Sequence, residues 1–117
     1  MHNLVYLIGR LTSDPKMNKT ETGKNYSYLT VAVNRAFKNT DGIYETDFFN
    51  CKLWNGVAES VCEYCKKGDL IGIKGRLQTF NDKNNDLKLE IIADKISFLS
   101  SKKTISDDLE EKKDMEI

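Results

Sequence analysis

The residues of this chain with the clearest chemical potential are Phe48-Phe49-Asn50-Cys51-Lys52-Leu53-Trp54. Side chains alternate across a strand, so Phe49, Cys51 and Leu53 line one face while Phe48, Asn50, Lys52 and Trp54 line the other. The first face is an ordinary core. The second mixes two large aromatics with an amide and a cation, which suits a partner that is flat and negatively charged. A single-stranded nucleic acid has both properties, because its bases offer π-faces and its backbone offers phosphates. The competing reading packs Phe48 and Trp54 inward at the end of a barrel.

Cysteine chemistry is the other candidate. Cys62-Glu63-Tyr64-Cys65 has the spacing of a redox pair or half a metal site. Residues 57–67 read as a short helix that ends at Gly68 with lysines in its last turn, which places the pair at the wrong end for a helix dipole to lower a thiol pKa. A zinc site would need a fourth ligand beside Cys51, Cys62 and Cys65, and His2 is the only histidine. Buried free thiols are the expectation. With one histidine, no paired carboxylates around a cleft and no phosphate-binding loop, there is no reaction to assign. Gly72 and Gly75 are spaced too closely, in too β-like a run, to form such a loop. No enzyme activity, cofactor or metal is expected.

The 117 residues suit one domain able to bury a core without disulfides or metals. No apolar run approaches the roughly 18 residues of a membrane span, and the N-terminus lacks a signal-peptide pattern, so a cytoplasmic location is expected. Net charge is zero and the pI about 6.6. Residues 1–99 hold 14 Lys and Arg against 12 Asp and Glu, and residues 100–117 hold 4 against 6. A body this mildly basic must take much of any affinity for nucleic acid from stacking.

The elements that would position these residues follow from pattern. Residues 4–11 form a strand in which Gly9 marks a bulge or a close backbone approach. Residues 16–20 form a short extended segment, followed by a hairpin connection at Glu21-Thr22-Gly23-Lys24. Residues 26–35 form a second strand, with Leu29, Val31 and Val33 on one face and Tyr28, Thr30, Ala32 and Asn34 on the other. Residues 36–47 read as a loop with a turn at Asp41-Gly42, in which Phe37 is either a staple onto the sheet or a stacking group. The third strand, 48–54, leads into the helix. Residues 70–80, with coiling eased at Gly72 and Gly75, and 87–99 are the last strands, joined by the polar loop 81–86. Strand, strand, strand, helix, strand, strand is the order of an OB-fold, a mainly β five-stranded Greek-key barrel whose binding face lies on its second and third strands. Residues 100–117 are charge-rich with isolated apolar positions and read as a disordered tail.

Together these strands gather Phe37, Phe48, Trp54 and Phe80 as base platforms. Arg10, Arg35, Lys52, Lys74 and Arg76 are the cations expected to follow the phosphates between them. An alternative from another class is an OB-fold protein–protein adaptor whose aromatic strand is an oligomer interface.

The segments Asn3-Leu4-Val5-Tyr6-Leu7-Ile8-Gly9-Arg10-Leu11-Thr12-Ser13-Asp14-Pro15, Leu29-Thr30-Val31-Ala32-Val33-Asn34-Arg35-Ala36-Phe37 and Asp47-Phe48-Phe49-Asn50-Cys51-Lys52-Leu53-Trp54 are followed by Ala58-Glu59, Lys67-Gly68 and Gly75-Arg76-Leu77-Gln78-Thr79. In that order, over residues 1–99, they closely resemble the single-stranded DNA-binding protein family of bacteria and their phages. The resemblance implies an OB-fold domain over 1–99 and a homotetramer assembled partly through the first strand. It also implies sequence-independent wrapping of single-stranded DNA in replication, recombination and repair, in association with the nucleoid. By position, Phe37, Phe48 and Trp54 fall where the family stacks bases. Asn50 and Lys52 share the exposed strand face, and Arg10, Lys74 and Arg76 take backbone-facing places on neighbouring strands.

Three departures stand out. Phe80 is followed by Asn81 and Asp82 where the family has a basic residue and then an aromatic. Asn55-Gly56-Val57 replaces a segment that commonly carries a Lys or Arg. The tail is short and acidic and ends Asp114-Met115-Glu116-Ile117, without the long linker and Pro-Phe tip through which the family recruits replication and repair enzymes.

Overall fold

A computed structural model of the chain describes residues 1–99; the tail expected over 100–117 lies outside the described residues. The order of elements is β1 (Val5–Leu11), β2 (Asn18–Lys19), β3 (Asn25–Lys38), β4 (Tyr44–Trp54), α1 (Asn55–Tyr64), β5 (Leu70–Asn81) and β6 (Leu87–Phe98). The long strands join in the ring β1-β5-β6-β4-β3, and β1 pairs back onto β3 to close it. Only the β4–β6 pairing is parallel; the others are antiparallel. This is the expected five-stranded barrel, with its helix between the third and fourth long strands. The two-residue β2 is added beside β3, with Asn18 opposite Tyr26.

Alternation in the sequence becomes the barrel wall. Leu29, Val31, Cys51, Leu53, Ile71 and Ile73 are buried within it, and Phe49 is packed against that cluster. Burying a side chain such as Leu53 is worth about 1.5–3 kcal/mol. Ala58 and Val61, one turn apart on α1, close the barrel's end. Ser27 is buried without cost to its hydroxyl, which donates to the Lys16 carbonyl oxygen at 2.8 Å and ties the β1–β2 connection to the wall.

Closure depends on Gly75. β5 and β6 slip register between Lys74 and Gly75, leaving Asp94 as the extra residue of a bulge. There the chains approach so closely that a Cβ on Gly75 would collide with the Ile92 carbonyl. At Gly72, by contrast, an added Cβ would meet only ordinary contacts of 3.4 Å and beyond.

Three boundaries differ from the sequence expectation. β3 and β4 run on past Arg35 and start before Phe48, so most of the expected loop over 36–47 is a two-stranded arm closed by residues 39–43. The Asn39 side-chain oxygen accepts from the backbone N–H groups of Asp41 and Ile43, and Gly42 takes a φ of 77°. That local cap lets the ladder extend into a polar segment. The helix occupies 55–64 and ends before the lysines expected in its last turn. Instead the Asp69 carboxylate accepts from Lys66 N–H and the Asp14 carboxylate from Lys67 N–H, drawing residues 66–69 into a turn against the end of β1.

Candidate nucleic-acid interface

β4 turns Phe48, Asn50, Lys52 and Trp54 outward, as its alternation predicts, and β3 lies beside it with Ala32, Thr30, Tyr28 and Tyr26 in the facing positions. Two large aromatics thus become four on one continuous face. Trp54 and Tyr26 have ring centroids 5.7 Å apart, and Tyr28 stands edge-on to Tyr26 at 5.9 Å. Phe48 is 64% exposed, which excludes the inward-packed reading for that ring.

The Lys52 ammonium is the centre of this group. Its Nζ lies 4.3 Å from the Trp54 ring centroid, 5.1 Å from that of Tyr26 and 5.3 Å from that of Tyr28. Lys24 Nζ approaches Trp54 from farther off, at 6.0 Å. Each such cation–π contact at an exposed site contributes about 0.5–1 kcal/mol. The cage holds a positive charge against the π-faces and so attracts phosphate to the same place that would stack bases. Asn50 is fixed beside it by the Thr30 hydroxyl, which donates to Asn50 Oδ1 at 2.5 Å and leaves the amide N–H2 to face outward partners.

The other expected residues are distributed over three regions. Arg10 is opposite Ala32, which is opposite Phe48, so it flanks the face on the β1 side and also donates to the Gly68 carbonyl at 3.0 Å. Arg76 shares a register row with Ile92 and Lys52 on the β6 side, and is ion-paired to the bulged Asp94. Arg35 and Phe37 belong to the β3–β4 arm. Phe37 is 83% exposed and is no staple onto the sheet. Arg35 grips Asp47 through Nε and Nη2, both at 3.0 Å, and Glu45 through Nη1 at 2.8 Å. The Arg35 hydrogen bond holds the Asp47 carboxyl below the usual carboxylate range, so this pairing is complete at neutral pH and lost only as pH falls through that lowered value. For Arg35 to meet a phosphate, it would have to exchange these carboxylates. Phe80 stands opposite Lys88 near the end of the β5–β6 hairpin, and Lys74 lies opposite Tyr6 and Lys95, away from the aromatic face.

Tyr26 and Tyr28 were the aromatics missing from the sequence-based site. Tyr28 was already assigned to the outward face with Thr30, and Tyr26 shares its parity; only the cross-strand register shows that both stand beside Lys52 and Trp54.

Thiol chemistry finds no support. Burial pushes the Cys51 and Cys65 thiols up to about 11, keeping them protonated at neutral pH. Among the described residues no group of three or more His, Cys, Asp or Glu could hold a metal ion, and no helix is long and apolar enough to cross a membrane.

The family model described as "Single-strand binding protein family" matches residues 2–99. Over 106 residues the chain is 43% identical to single-stranded DNA-binding protein B of Bacillus subtilis, covering 87% of this chain and 94% of that protein. It is 46% identical to single-stranded DNA-binding protein 3 of Listeria innocua, covering 87% of this chain and 66% of the relative. The crystal structure of wild-type single-stranded DNA binding protein from Thermus aquaticus matches with a TM-score of 0.74 at 28% identity, over 87% of this chain and 52% of that one. The chain thus spans nearly the whole of the first relative, just under two thirds of the second and about half of the third.

Proposed function

Because the chain belongs to the single-strand binding protein family, we propose that residues 1–99 form a domain that binds single-stranded DNA without regard to sequence, by stacking bases on the β3–β4 face. The observation that carries this reading is the cage of Trp54, Tyr26 and Tyr28 around the Lys52 ammonium. Every base has a π-face, so a stacking surface is indifferent to sequence and each stacked base contributes on the order of 1–3 kcal/mol. A base arriving on Trp54 displaces the ammonium from the ring, and the freed charge meets the adjoining phosphate. Phe48, Asn50 and Arg10 extend the path across β4, β3 and β1. Phe37 and Arg35 on one arm, and Phe80, Arg76 and Lys74 on the β5–β6 side, would engage a strand that wraps beyond this face.

Self-association through β1 accompanies the reading. Leu4, Tyr6 and Ile8 are exposed at and beside the outer face of that strand, a location that leaves the aromatic face open to DNA. A homotetramer protecting single strands in replication, recombination and repair follows from the family. Partner enzymes would have to be recruited by the tail over 100–117 without a Pro-Phe tip.

The test is competition between single-stranded and duplex DNA across a salt series. Oligo-dT binds and duplex of equal length does not compete, and log affinity falls against log salt with a slope of about −0.7 for each phosphate neutralised. Equal competition by duplex would contradict the stacking account. A flat salt response would remove the cations from it.

A further inference from the structure

Beside the aromatic face lies a cleft of about 550 Å3, bounded by the β1–β2 connection, by β3 and by the turn after α1. We propose that it is a nucleotide subsite in which Lys16 and Lys67 clamp a phosphate of the strand as it leaves the β3–β4 face. This proposal rests on the single-stranded DNA reading above and extends it to residues outside the expected site.

Continuity is the first argument. Tyr28 is a member of the Lys52 cage and also lines the cleft, and its ring is 54% exposed. A strand stacked along Trp54, Tyr26 and Tyr28 therefore arrives at the cleft mouth. Charge is the second. Lys16 and Lys67 come from two different walls and are both exposed, against the single carboxylate of Asp14. One oxygen of that carboxylate is already committed to Lys67 N–H at 2.7 Å.

The third argument is that the walls are built in advance. Ser27 holds the Lys16 carbonyl at 2.8 Å, Thr12 N–H and Oγ1 both donate to the Thr30 carbonyl, and Gly68 N–H donates to the Leu11 carbonyl at 2.9 Å. A preformed cleft spares a ligand the cost of ordering it. Its volume lies within the roughly 300–1,000 Å3 of small-ligand sites. The short polar side chains of Ser13 and Asn18 on its rim can meet a sugar or a base edge without demanding one sequence.

The test is the double variant Lys16→Ala/Lys67→Ala in the full chain. The wall bonds at these two residues run through backbone atoms that alanine retains, so the variant keeps the fold. Two labelled oligo-dT probes are compared, one of about five nucleotides confined to the aromatic face and one of about fifteen that also fills the cleft. On the longer probe the variant loses about fivefold or more in affinity, and its salt slope becomes shallower by about 1.4, or 0.7 per lysine; on the shorter probe it matches the parent. An unchanged slope on the longer probe overturns the proposal. So does an equal loss on both probes, which would mark a general effect of net charge. If the parent chain binds neither probe, it is the single-stranded DNA reading that fails, and the subsite fails with it.

Discussion

Replacing Trp54 with alanine lowers affinity for oligo-dT by about 5- to 150-fold, the equivalent of the roughly 1–3 kcal/mol carried by one stacked base. The effect is at the upper end of that range because Trp54 does more than offer a ring. It is the nearest wall of the Lys52 cage, at 4.3 Å, and leans on Tyr26 at 5.7 Å. Without it the ammonium loses its strongest seat and the tyrosine its neighbour, so both stacking and the local placement of charge weaken together. Phe48→Ala is the informative companion, since that ring is exposed and makes no ring contact among the described residues. Its loss should be confined to one stacked base. Fluorescence anisotropy with a labelled oligonucleotide measures both, with circular dichroism to verify the fold. Unchanged affinity in Trp54→Ala would remove the cage from the binding path.

Gly75→Ala is the substitution with the largest expected effect on stability. The new methyl group has backbone, not a flexible side chain, in its way: the Ile92 carbonyl and the Ala93 Cα. Overpacking typically costs about 1–3 kcal/mol, and a clash with a backbone that closes a barrel is at or above the top of that range. For a domain of this size each kcal/mol lowers Tm by about 4–8 °C. Thermal unfolding should therefore fall by at least about 12 °C in Gly75→Ala, while Gly72→Ala, whose Cβ meets only ordinary contacts, stays close to the parent. Equal behaviour of the two variants would show that close approach at the β5–β6 bulge does not govern closure.

How much of this was legible in the sequence depends on the range of the interaction concerned. The two faces of β4 were legible because strand period is local: Phe49, Cys51 and Leu53 are core and Phe48, Asn50, Lys52 and Trp54 are not. The turn at Asp41-Gly42 was equally local, but the pairing of Lys38 with Tyr44 that makes the surrounding segment an arm was not. The end of α1 was misplaced because the residue that recruits Lys67 away from a helix is Asp14, 53 positions earlier. The same holds for the site. Arg35 is written as a free cation in the sequence, and only the β3–β4 register brings Asp47 and Glu45 to it. Tyr26 and Tyr28 carried the right parity without declaring a partner, and the Lys52 cage exists only once β3 lies against β4.

The cage gives the account its most direct measurement, because Trp54 is the only tryptophan in the chain. Its intrinsic emission is titrated with oligo-dT in low salt and then with duplex of equal length. Saturable quenching by oligo-dT, reversed by salt and absent with duplex, is the predicted result. Oligo-dT that binds by anisotropy while Trp54 emission stays unchanged would contradict the claim that bases stack on this face.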